Sequence, residues 1–372
     1  MENPRASVLL VLFLVLCAPL PAQERPAVTA FRDGAAAQQR GELERAAEAY
    51  RRAIEIEPRF AEAHANLGAV LARLGRYEEA VASDERALAI DPKLTAARLN
   101  LGLAHYRAGK LTAALDAFQR VHAADPALLQ ARQLLGLVLV ELGRDAEAIP
   151  HLEASAQAGP DEPAVWFALG RAYSRRGDPR ADAVAERLAQ TPGGQPLWHQ
   201  LRGLVLQRED RHQQALDAFA KATALNAGLP QLSVNIGVSR LALGDRDGAR
   251  QAFADALVRS DRDTAAHIYL AWMDEQDDRL LDARRHAEQA VALEADLAES
   301  RGLLGRILLK QGSPEAATPH LEAAVAAEPR NAAWRFLLGQ AYQRAGQPTA
   351  AAREFAEARR LKEQEIAQGR KD

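Results

Sequence analysis

Apolar and polar positions follow a helical period in short blocks along the chain. Leu67, Val70, Leu71 and Leu74 fall at i, i+3, i+4 and i+7, so they form one stripe on a helix. Gly75 follows at once, and glycine takes the left-handed backbone of a helix C-terminus without a Cβ penalty. A second block carries Ala80, Val81, Ala87 and Leu88 on one face. Asp91-Pro92 stops it, because proline disfavours helical backbone in the residue before it. The pattern predicts a helix hairpin, with the small residues Gly68 and Ala80 where the two axes approach. A lone hairpin cannot bury both of its apolar faces, so it needs stacked neighbours.

The block recurs. Leu67-Gly68, Ala80, Ala87 and Pro92 are answered 34 residues on by Leu101-Gly102, Ala114, Val121 and Pro126. Leu135-Gly136, Ala148, Ser155 and Pro160 come next, and the marks return at Leu304-Gly305, Ala317, Ala324 and Pro329. Trp166, Leu169-Gly170 and Tyr173 show the first helix best, and Ala351, Phe355 and Ala358 the second. With these marks the period resembles the tetratricopeptide-repeat family, in the form of an exported bacterial array.

Counting on that resemblance gives ten repeats, beginning at Ala27, Ala61, Thr95, Leu129, Pro163, Pro196, Pro230, Thr264, Ala298 and Ala332. It implies an all-α fold, an α-solenoid coiled as a right-handed superhelix. Repeats one to five span 27–194 and repeats six to ten span 196–362, with a charged tail at 363–372. Some copies depart from the pattern. Asp33 takes an apolar position in the first repeat, which suits a partly solvated end. Ala271 replaces the usual glycine in the eighth, whose turn carries Asp278. In the fifth, Asp182 stands where a small residue is expected, and Thr191-Pro192-Gly193-Gly194-Gln195-Pro196 is loop chemistry. That segment is read either as a joint between two stacks or as a variant loop.

Composition narrows the function. The 372 residues are 48% hydrophobic and 26% charged, which argues against disorder. A formal net charge of −3 lacks the basic excess of a nucleic-acid binder. At the N-terminus Arg5 precedes an apolar run, Val8 to Leu16, followed by Pro19, Pro21 and Ala22. The run falls short of the roughly 20 residues that span a bilayer. Residues 1–22 therefore read as an export signal, giving a periplasmic or extracellular protein. Membrane attachment would need an uncleaved segment or a lipid on Cys17, the chain's one cysteine, although Leu16 before it is larger than lipidation signals favour.

No catalytic, phosphate-binding or metal motif stands out, and no cofactor is expected. His64 and His267 take the position where the family often has tryptophan, so they read as core or half-buried residues. Trp166, Trp198, Trp272 and Trp334 read as core by default. Carboxylates such as Asp84, Glu85 and Glu354 read as solvated helix surface. The resemblance puts function on the concave face lined by the first helices, where extended peptides bind in the family. Asn66, Asn100 and Asn235 share one position there, and a side-chain amide suits backbone binding because it both donates and accepts. Arg73, Arg107 and Arg171 edge an apolar row that includes Leu103, Leu137 and Phe167. Such a groove would take a segment with hydrophobic and acidic residues. The expected partners are proteins or peptide segments. A module serving an envelope enzyme or secretion machine through a partner chain, and a self-associating envelope protein, are the alternatives.

Overall fold

The computed structural model describes residues 25–159 and 161–369. Among them the chain forms twenty α-helices and no strand. The helices pair in chain order. The pairs are α1 (Pro26–Gln39) with α2 (Leu43–Ile56), α3 (Ala61–Arg73) with α4 (Tyr77–Ile90), and α5 (Thr95–Arg107) with α6 (Leu111–Ala124). Next come α7 (Leu129–Glu141) with α8 (Asp145–Ala158), α9 (Pro163–Arg176) with α10 (Ala181–Gln190), and α11 (Gln195–Arg208) with α12 (His212–Leu225). Then follow α13 (Leu232–Ala242) with α14 (Arg246–Arg259), and α15 (Thr264–Gln276) with α16 (Leu280–Leu293). The last are α17 (Ala298–Lys310) with α18 (Pro314–Ala327), and α19 (Ala332–Arg344) with α20 (Pro348–Gly369). The expected export segment, Cys17 and Pro160 lie outside the described residues.

Each pair packs on itself and its second helix packs on the next pair's first. First helices also touch one another, α3 on α5, α7 on α9 and α15 on α17, whereas no two second helices pack comparably among the described residues. Wedges stacked this way curve, with the first helices on the inside. This is an all-α solenoid of ten helix pairs.

The turn inside each pair follows from one backbone requirement. Gly75 has φ +77, and Asp210 and Asp278 hold φ 61 and 57 where the turn lacks glycine. Aspartate is among the few residues that tolerate this region. Within a pair, the glycine midway along the first helix receives a large side chain from the second. A Cβ on Gly102 would stand 2.5 Å from the Phe118 ring, and one on Gly136 would stand 2.7 Å from Leu152. Phe118 and Leu152 are fully buried, and each such burial contributes about 1.5–3 kcal/mol. In the eighth repeat Ala271 occupies the glycine position and the facing residue shrinks to Ala287, both fully buried.

Several sequence expectations change. The first helix of repeat seven begins at Leu232 rather than Pro230, because Gln231 takes left-handed backbone (φ 59) and the Pro230 carbonyl accepts a hydrogen bond from Gln200 at 2.7 Å. Asp182, the irregular residue of the fifth repeat, is exposed, and Val184 and Leu188 supply the buried face of α10. Leu201 of the following repeat fills the space over Gly170. Asp84 is not solvated surface, since it is fully buried at the column position of Tyr50, Phe118 and Leu152. At the C-terminal end, residues 363–369 of the expected tail continue α20.

The solenoid also meets itself. Arg262, between α14 and α15, donates to the Ala108 carbonyl at 3.4 Å and to Glu78 Oε1 at 3.5 Å. Its guanidinium lies 5.3 Å from the Tyr77 ring centroid, and Gly109 stands beside Glu294. Repeats two and three thus touch the loops flanking repeat eight, which closes one turn of the coil.

Candidate functional site

The inner helices carry two periodic sets of hydrogen bonds that explain much of their polarity. The residue four places into the helix reaches back to the carbonyl six residues earlier. Arg335 does so to Pro329 at 2.8 Å, Arg301 to Ala295 at 2.7 Å, His64 to Pro58 at 3.1 Å and His267 to Asp261 at 3.0 Å. The histidines that replace tryptophan therefore close the entry loop of their repeat. At the other end, late cations reach the C-terminal carbonyls of the preceding first helix. Arg107 donates to Ala72 at 3.5 Å, Arg175 to Val140 at 2.7 Å and Arg344 to Leu309 at 3.0 Å. Each of those carbonyls also accepts the N–H of its turn glycine (Gly75, Gly143 or Gly312), and each sits at the negative end of its helix dipole.

Against this background the expected site residues separate. Arg171 pairs with Glu141 at 2.6 Å and lies 5.7 Å from the Phe167 ring centroid. Arg107 braces the repeat before it, as above. Arg73 is exposed and has no partner among the described residues. Asn66 donates to the Tyr50 hydroxyl at 3.4 Å, and Asn100 donates to the Ala65 carbonyl at 3.0 Å. The Asn235 amide nitrogen is buried without a hydrogen-bond partner. It sits on α13, well along the solenoid from the Asn66–Asn100 pair. Leu103, Leu137 and Phe167 are half-buried, and the two leucines lean on the core centred on Phe118 and Leu139.

Beneath that face lies Asp84. Neither carboxylate oxygen has a hydrogen-bond partner. Burial pushes its carboxyl up to about 9, and the nearby Asn100 amide offsets only part of the rise. The acid is therefore neutral at physiological pH. Glu354, also read as surface, is instead half-buried and paired with Arg335 at 2.8 Å.

A second surface emerges that the sequence reading did not assemble. None of the four tryptophans is fully buried. Trp272 and Trp334 border a groove of about 430 Å³ across α13, α15, α17 and α19, with Leu241, Ile268, Tyr269, Leu303, Glu299 and Glu328 among its walls. Tyr269 holds the same repeat position as Asn66 and Asn235, so column counting was the signal that could have found it. Among the described residues no group of three or more His, Cys, Asp or Glu is placed to hold a metal ion. No described helix is long and apolar enough to cross a membrane.

Comparisons with known proteins agree with this architecture. Family models described as TPR repeat and tetratricopeptide repeat match residues 34–75, 59–127, 105–166 and 303–366. No curated protein sequence matches the chain. Among solved structures, a chain of the APC/C hetero-tetramer Cut9-Hcn1 is similar with a TM-score of 0.55 and 15% identity, covering 90% of this chain and 73% of that one. Yeast Tom70 gives a TM-score of 0.48 and 14% identity, covering 91% of this chain and 86% of that one. The repeat matches and the stacked helix pairs together make this chain a tetratricopeptide-repeat protein.

Proposed function

We propose that the protein is a non-catalytic scaffold that holds extended segments of partner proteins against its inner, first-helix face. One observation carries the reading. Leu99, Leu103, Leu137, Phe167, Val238 and Trp272 form a row of half-buried apolar side chains on that face, and Phe336 is 50% exposed. A periodic row of apolar side chains left part-exposed is a feature of interaction surfaces. The similar Cut9-Hcn1 chain was crystallised within a hetero-tetramer, in keeping with a protein-binding role. In this reading Arg73 is the cation left free for the partner, Asn66 and Asn100 offer their amide oxygens, and Arg107 and Arg171 shape the wall.

Photo-crosslinkers placed at positions 103 and 137, and at the outer position 86, test it. Capture of a partner from the inner positions alone is expected. Equal capture from position 86 would place binding elsewhere. With the captured segment as ligand, Asn66→Ala combined with Asn100→Ala should weaken binding by roughly 1–3 kcal/mol, the worth of one or two hydrogen bonds.

The same reading places the scaffold outside the cytoplasm, on the strength of Arg5, the Val8 to Leu16 run and Ala22. Mass spectrometry of the native chain should find it starting near Gln23. A chain retaining Met1 to Ala22 would overturn cleavage.

A further inference from the structure

We infer that the groove between α15 and α19 is a subsite for one arginine side chain of the partner segment. This rests on the proposed binding at the inner face and names the chemistry of one point along it.

The walls are aromatic and apolar. Tyr269 and Trp272 come from α15, Leu303 from α17 and Trp334 from α19. The groove's volume lies at the small end of ligand-sized clefts, roughly 300–1,000 Å³. Two carboxylates stand in it. Glu328 accepts from the Asn331 amide at 2.8 Å and from the Trp334 indole at 3.0 Å, both on Oε2. Oε1 remains as an acceptor, and the same two bonds fix the indole, so acid and ring are oriented before any ligand arrives. Glu299 has no hydrogen-bond or ion-pair partner among the described residues. Burial raises its carboxyl above the usual range, and the Glu328 charge raises it further.

The cation within the groove does not neutralise them. Arg306 is held by the buried Glu275 at 2.6 Å, and Lys310 shares that carboxylate at 2.9 Å. Arg246, 5.9 Å from the Trp272 ring centroid, is likewise paired, with Asp277 at 2.7 Å. Arg306 stands in the wall, yet neither Glu299 nor Glu328 has an ion-pair partner among the described residues, so the groove presents two unpaired carboxylates beside aromatic faces. A guanidinium fits that deficit better than an ammonium, since its plane stacks on indole while its edge forks onto carboxylate. The complementarity selects a basic residue here, although the groove nearer the N-terminus offers the free cation Arg73.

The test uses the full chain and a fluorescent peptide of alanine and serine carrying one central arginine. A second peptide carries citrulline, which keeps the shape and removes the charge. Fluorescence anisotropy should show the arginine peptide binding on the order of tenfold tighter. Glu299→Gln should cut that preference to about threefold, because one of the two charge-assisted contacts is gone. Glu315→Gln, an exposed acid on α18, should leave the preference intact and so controls for net charge. Equal binding of the two peptides by the wild type would overturn the subsite while leaving the inner-face reading standing. A preference left unchanged by Glu299→Gln would overturn it too. Binding of neither peptide would also overturn it, and the crosslinking comparison then decides separately whether the inner face binds partners.

Discussion

Replacing Asp84 by leucine is expected to stabilise the second repeat, by a margin that grows as pH rises. The wild-type carboxyl is fully buried against Gly68 with both oxygens unpartnered. Removing such a group recovers about 1–3 kcal/mol, and burying leucine there adds roughly 1.5–3 kcal/mol. The larger side chain over Gly68 costs about 1–3 kcal/mol in crowding, although Leu152 and Leu321 already occupy this position over Gly136 and Gly305. The balance is on the order of 2 kcal/mol in favour of leucine at mildly acid pH. Ionisation adds to it. The folded value of about 9 lies above the ordinary 3.8. Below the lower value both folded and unfolded chains hold the proton, so the acid carries no ionisation penalty. Between the two values the unfolded chain loses the proton and the folded chain keeps it. Wild-type stability therefore falls as pH rises, by at most ~1.4 kcal/mol per unit. Repeat arrays open locally, so the assay is hydrogen exchange in α3 and α4, corrected for intrinsic rates, at pH 5 and pH 8. Equal protection in both proteins, or a gap that does not widen with pH, would refute the reasoning.

Gly102→Ala should destabilise the third repeat by about 1–3 kcal/mol, because its Cβ would meet the Phe118 ring at 2.5 Å. Adding Phe118→Ala should remove that clash, as Ala271 and Ala287 coexist in the eighth repeat, and the coupling is read from a double-mutant cycle of urea denaturation; purely additive effects would contradict it. Arg262→Ala deletes the contact with Tyr77, Glu78 and Ala108, worth about 1 kcal/mol at a partly exposed site. Small-angle scattering should then show a larger radius of gyration, with helicity unchanged by circular dichroism. An unaltered scattering profile would mean the turn closes without that contact.

The one-dimensional features of this fold are written in its sequence. A 34-residue period, a stripe such as Leu67-Val70-Leu71-Leu74 and turn residues such as Gly75 depend on neighbours close along the chain, so they determine the helix pairs and the stacking directly. First-helix starts at Ala61, Thr95, Leu129 and Pro163 agree with the structure to the residue. Where the repeat is irregular the local signal weakens, and tertiary contacts decide: α13 starts late because Gln200 holds the Pro230 carbonyl, and Leu201 fills what α10 leaves open. The candidate site divides the same way. Counting placed Asn66, Asn100 and the arginines on the inner helices, but it could not show that Asn100, Arg107 and Arg171 have partners in neighbouring repeats, 30 to 35 residues away. Nor could it show that Asp84 is buried, or that Tyr269, Trp272, Glu299, Glu328 and Trp334 line one groove. Spacing along a helix fixes the face a residue takes. Whether that face meets solvent, core or the next repeat is set by side chains distant in sequence, and those meet only when the solenoid stacks and curves.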